Sequence, residues 1–189
     1  MERLQLYMIL LGCKPAGRYT EQHDIFFGIA KSLKDLVPDI IKSWPEAPTI
    51  HIDAWREVTE VNGNRIQVIL KEDRQKSVTE NGNLFFINLG GYKKDEFEEY
   101  HYKMLVVARE KVEAMRTAKA SAFYKHTGFS GADSHIDDKY GIDVDDLYEI
   151  SDILPARFRE KYALQIEPSA SSQKDEWHLG YTQLSKLLK

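Results

Sequence analysis

The sequence has a single cysteine, Cys13, among its 189 residues. No internal disulfide can form and no CxxC zinc knuckle exists, which points to a reducing cytoplasm. Long apolar runs are missing too. The longest, residues 6–11, falls far short of the roughly 20 residues that a bilayer span needs. Leu10-Leu11-Gly12-Cys13 looks faintly like a lipoprotein cleavage site, but it lies too near Met1 for a normal signal. Positive charge is not in excess: 26 Lys and Arg face 30 Asp and Glu, for a net −4. That balance argues against a nucleic-acid partner, which would call for a basic stripe. Lys71, Arg74 and Lys76 are interrupted by Glu72 and Asp73, as in a solvated linker. GxGxxG, GxxxxGK[ST], HExxH and GxSxG are all absent, so no nucleotide, zincin or nucleophile-elbow signature is available.

What the chain does contain is a near-repetition of itself. Leu6-Tyr7-Met8-Ile9-Leu10-Leu11-Gly12 lies over Leu84-Phe85-Phe86-Ile87-Asn88-Leu89-Gly90 at an offset of 78. Continued to Ala30 over Ala108, seven of 25 positions are identical, Glu21/Glu99 and His23/His101 among them. Further on, His51-Ile52-Asp53 matches His135-Ile136-Asp137 at offset 84, and residues 57–61 match 149–153 at offset 92. Residues 66–68 match 164–166 at offset 98. The order is kept throughout, which reads as a tandem duplication with insertions in the second copy. The N-terminal apolar run has an internal twin, so it is a buried strand and not a signal segment.

Each copy opens on that strand, continuous in apolar residues and closed by glycine. Phe26, Ala30, Leu33, Val37 and Ile40 then recur at helical spacing after Thr20, with Pro38 as a break or kink. Met104, Ala108, Met115, Ala118 and Ala122 keep the same period, with Asp95 and Glu98 as a capping box and Gly128 as a stop. Residues 49–55 alternate as a strand, and Asn62-Gly63 signals a hairpin into residues 65–70. The expected fold is α+β: two β-α-β-β units related by a pseudo-twofold, with helices on mixed or antiparallel sheet. Residues 1–71 are the first unit, 72–83 a linker, 84–168 the second unit and 169–189 an extension packing on the second.

Two motifs repeat, Glu-x-His and His-Ile-Asp. In a strand, residues i and i+2 share a face, so His51 and Asp53 stand together, as do His135 and Asp137. In the expected helix, Glu21 and His23 lie about 200° apart and cannot grip one ligand. His23 and His101 instead lean inward and are buried. His23, His51 and Asp53 together form a two-histidine, one-carboxylate set suited to a divalent metal. Satisfied core histidines, a pocket without chemistry, and a metal or catalytic site all remain open readings. The glycine turns carry Lys14 and Arg18 in one copy and Lys93 and Lys94 in the other, a layout for an anion if a helix begins there.

Tyr19-Thr20-Glu21-Gln22-His23-Asp24-Ile25-Phe26-Phe27 followed by His51-Ile52-Asp53-Ala54-Trp55 resembles the bacterial proteins grouped as domain of unknown function 1543. That family has one or two copies of its domain and no assigned activity. The resemblance implies a fold unit, a bacterial origin and a cytoplasmic setting, but no reaction. Copy two lacks Asp24 and Trp55 counterparts, so the expected site lies in copy one: Glu21, His23, Asp24, His51, Asp53 and Trp55. Glu99, His101, His135 and Asp137 are its weaker echo. The first expectation for function is a binding or interaction protein with a small-molecule or protein partner and no membrane, either a pseudo-dimeric monomer or a homodimer. A metal-dependent enzyme and an anion binder are the alternatives.

Overall fold

The computed structural model describes residues 3–73, 81–92, 95–120, 143–170 and 173–188. The chain forms two compact units, residues 1–78 with 153–189 and residues 79–152. No helix among the described residues is long and apolar enough to cross a membrane.

In the first unit, strand β1 (Gln5–Cys13) is buried on both faces. Strand β2 (Gln22–Ala30) returns antiparallel beside it, from Gln5↔Ala30 to Cys13↔Gln22. This corrects the expected helix over the same residues. Phe26, Gly28 and Ala30 lie on one face of a strand, with Ile25, Phe27 and Ile29 on the other, and a segment apolar on both faces suits a covered strand. Helical spacing takes over only at Leu33. A 3-10 turn (Leu33–Leu36) runs into helix α1 (Val37–Ser43), and Ser32 with Asp35 forms the capping box. Pro38 sits in the first turn of α1, where a missing N–H costs nothing, so it starts the helix instead of breaking it. Leu36 packs beneath Gly28, which sets this helical segment against β2, and Leu33, Val37 and Ile40 are buried with it.

Strand β3 (His51–Val58) pairs with the other side of β1, interrupted by a bulge between Leu10 and Leu11. Strands β4 (Glu60–Val61) and β5 (Asn64–Leu70) close a hairpin on Asn62-Gly63, both at positive φ as the Asn-Gly pair dictates.

In the second unit, strands β6 (Asn83–Tyr92) and β7 (Glu99–Ala108) pair antiparallel, helix α2 (Lys111–Lys119) follows, and strand β8 (Asp143–Glu149) pairs with the free side of β6. Ala114 and Ala118 of α2 share one core with Phe85, Ile87 and Leu89. The first half of the helix expected here is therefore β7. Asp95, expected as a cap, has a φ of 63° instead. The described elements of each unit open in the order β-β-α-β, not β-α-β-β, and the class is α+β on antiparallel sheet.

Strand β9 (Tyr162–Pro168) pairs with β5, and strand β10 (His178–Gln183) adds to β3. The first unit thus holds a sheet of order β10-β3-β1-β2 and another of order β4-β5-β9. The C-terminal extension belongs here, not on the second unit as its position in the chain implied. The cause is Asp175. Its side chain is 2% exposed. Its carboxylate accepts the backbone N–H groups of Thr59 and Glu60 and the Thr59 hydroxyl, at 2.6–3.2 Å. Arg56 stands 3.7 Å away and lies over the ring of Trp177.

Asp175→Ala strands three donors in a water-poor site and should cost about 2–4 kcal/mol. Urea unfolding gives the cost, and amide exchange over residues 178–183 should quicken. Asp175→Asn should fall between. Unchanged midpoints in both variants would show that Asp175 does not anchor the segment.

Candidate functional site

Gly12 is the centre of the site. It stands opposite His23 of β2 in one ladder and opposite His51 of β3 in the other. Directly paired residues project to the same face of a sheet, so two imidazoles flank a position with no side chain. The bulge brings Asp53 to the same gap. A Cβ on Gly12 would lie 2.3 Å from His51 Nε2 and 2.5 Å from Asp53 Oδ2. Only glycine leaves that space.

Glu21 completes the cluster from the residue ahead of β2. In extended backbone it shares a face with His23, the convergence that a helix forbids. His51 Nε2 lies 3.0 Å from Glu21 Oε1 and 3.3 Å from Asp53 Oδ1. His23 Nε2 lies 3.4 Å from Asp53 Oδ2 and 3.8 Å from Glu21 Oε2. Asp53 Oδ2 is buried and receives no hydrogen bond; the approach of His23 is too long to be one. The His51 side chain is 8% exposed, and its ring packs against Tyr181 at 4.5 Å between centroids. His23, expected to be buried, is 45% exposed, and His101 39%. Both face the open side of their ladders because they sit on strands.

Asp24 and Trp55 are not part of the cluster. Asp24 pairs with Leu11 and Trp55 with Ile9, one register position off Gly12's parity, so both lie on the opposite face. Asp24 accepts the N–H of Ile25, and Trp55 stacks on His178 at 3.8 Å. Lys14 and Arg18 are exposed in a loop between two antiparallel strands, with no helix N-terminus to form an anion site. Cys13 is buried and in no position to act as a nucleophile.

The second unit repeats the frame. Gly90 pairs with His101 and with Asp143, and β8 carries its bulge at the same place, between Asn88 and Leu89. The partner of β6 stands 92 residues after β3, so Asp145 occupies the position of Asp53 and Asp143 that of His51. His135, Asp137, Lys93 and Lys94 lie outside the described residues. His101 Nε2 lies 3.4 Å from Asp145 Oδ2 and 3.9 Å from Glu99 Oε2, close to the 3.4 and 3.8 Å of the first unit. A Cβ on Gly90 would meet Asp145 Oδ2 at 2.3 Å. Beside this cluster, the Tyr100 pKa is raised above its ordinary value, chiefly by its hydrogen bond to Glu96 and then by desolvation and the charges of Glu96 and Glu98.

Sequence reasoning missed the two glycines as site-makers, Tyr181 as a wall and Asp145 as a partner. The glycines were visible as identical residues at offset 78, and reading offset 92 backward from Glu149 reaches Asp145.

Residues 18–68 match the family model described as Domain of Unknown Function (DUF1543), in support of the resemblance read from the motifs. All four clustered residues of the first unit lie inside that span. No curated protein matches the chain. The fold is similar to the crystal structure of a protein from Idiomarina loihiensis, with a TM-score of 0.62 and 21% identity, covering 96% of this chain and 98% of that one. Neither likeness assigns a reaction.

Gly12→Ala should lower stability by about 1–3 kcal/mol, since the methyl must displace a buried imidazole and a carboxylate. The His51 ring resonances should move with it. Wild-type stability with unshifted histidine signals would show that the gap above Gly12 is not closed in.

Proposed function

We propose that the first unit is a divalent-metal-binding module, with Glu21, His23, His51 and Asp53 as ligands. The observation that carries this reading is the set of four nitrogen–oxygen distances across the bare glycine, 3.0–3.8 Å. Donors about 2.0–2.2 Å from a tetrahedral ion stand about 3.3–3.6 Å from one another. Each imidazole already stands near that distance from one oxygen of each carboxylate, His23 from Oε2 and Oδ2 and His51 from Oε1 and Oδ1, so each carboxylate turns to give one oxygen to a shared ion. Two imidazoles with two carboxylates suit zinc or a late transition metal more than magnesium or calcium. The buried and unbonded Asp53 Oδ2 is an acceptor in need of a cation.

Four protein donors fill a tetrahedral sphere, and a filled sphere favours binding over catalysis. A metal-dependent enzyme is the second reading. Glu21 favours it, being 43% exposed and placed ahead of β2, where a substrate can displace it. We also infer a tandem duplication as the origin of the two units. The equal registers at offsets 78 and 92 and the bulge at the same place in both support it. So does the pairing of β5 with β9, the strands that match at offset 98. A reducing cytoplasm suits the lone buried cysteine.

Cobalt(II) titration of the whole chain should give the intense visible absorption of a tetrahedral ion, displaced by zinc. His51→Ala and Asp53→Asn should each weaken binding by at least the 10–100-fold that even outer-shell changes cost. Featureless spectra with the wild-type chain, or variants that bind as tightly, would sink the metal reading.

A further inference from the structure

We propose that the second unit holds its own cation site, built from Glu99, His101 and Asp145 and selective for a hard, partly hydrated ion of the manganese(II) class. The inference extends the metal reading of the first unit to a separate set of residues. Ligand atoms of Glu99, His101 and Asp145 all lie within 4.8 Å of one another. Each side chain is open to solvent, at 40%, 39% and 32%, so an ion can reach them. Gly90 keeps the strand between them bare, as Gly12 does in the first unit.

The donor set has one imidazole and two carboxylates, where the first unit has two of each. The register position of the first unit's His51 is held here by Asp143. One imidazole with carboxylates is an oxygen-rich set, which favours manganese or magnesium over zinc, and such ions keep several of their waters.

A second observation points to those waters. The row of residues next to the bare glycine, on the same face, is Ile25–Leu10–Ala54 in the first unit and Lys103–Asn88–Asp146 in the second. The apolar row offers a water nothing. In the polar row, Asn88 donates to Asp146 Oδ2 at 3.3 Å, while its Oδ1 is buried with no donor. That oxygen, two residues along the strand from Gly90, is a ready acceptor for a water bound to the ion. Such a role would explain an asparagine between the apolar residues Ile87 and Leu89 of β6.

The test uses the whole chain with zinc present at one equivalent, titrated with manganese(II) chloride and followed by electron paramagnetic resonance and water-proton relaxation. One saturable manganese site with enhanced relaxation is expected. His101→Ala and Asp145→Asn should each weaken it by about tenfold or more. Asn88→Leu should reduce the relaxation enhancement. Paramagnetic broadening of the His101 ring signals in the unsubstituted chain reads the same site without any variant. No saturable manganese site, or broadening confined to His23 and His51, overturns the proposal. Manganese at His101 without zinc at His51 would uphold this site and sink the first-unit reading alone.

Discussion

A strand residue without a side chain leaves a gap that its two neighbours can fill from either side, and Gly12 is such a residue in the middle of three strands. The rest of the first unit's site follows from that gap. His23 and His51 reach it because each is paired directly with Gly12. The bulge in β3 has a double effect. It draws Asp53 over the same gap, and it shifts the alternation of everything after Asp53, so that Trp55 joins Ile9 on the far face. A regular strand would have lined up His51, Asp53 and Trp55 on one face and spread them over two pleats.

The second unit keeps the gap and the bulge but changes what surrounds them. Glu99, His101 and Asp145 hold the same distances as their counterparts to within 0.1 Å, compared as 3.9 with 3.8 and 3.4 with 3.4. A shared backbone frame with unequal side chains separates what the fold fixes from what the site selects. The fold fixes one imidazole between two carboxylates above a glycine. The two sets differ in their imidazoles, two against one, and in the neighbouring row, apolar in one unit and polar in the other.

The strand, the glycine, the Asn-Gly hairpin and the grouping of His51 with Asp53 were legible in the sequence. The second element was not. Phe26 and Ala30 are four apart, which satisfies a period of 3.6 and a period of 2 alike, so the spacing could not tell helix from strand. Phe27 and Ile29, apolar between them, carried the strand signal. That single misreading sent His23 inward and split it from Glu21, although the Glu-x-His spacing is the one a strand turns into a pair. The Asp145 partnership was hidden for another reason. A three-residue match, His135-Ile136-Asp137, looked stronger than a lone aspartate, and ladder register is not written in short matches.

The wall of the first site comes from the far end of the chain. Tyr181 lies 130 residues after His51, on a strand fixed to β3 by pairing and by the Asp175 carboxylate beneath Thr59 and Glu60. Gly180, at a φ of 124°, lets β10 break register between Leu179 and Thr182 and set Tyr181 over the imidazole. His51 is therefore enclosed only when the C-terminal strand is docked. Undocking the strand would remove that cover. Any ion or ligand that binds the closed arrangement better than the open one must favour the docked strand by its differential affinity, and the latch at Asp175 must in turn favour the ligand. Glu21, His23, His51 and Asp53 come from the two strands that flank β1 and from the residue ahead of β2, so β1 brings the cluster together and Tyr181 adds only the cover.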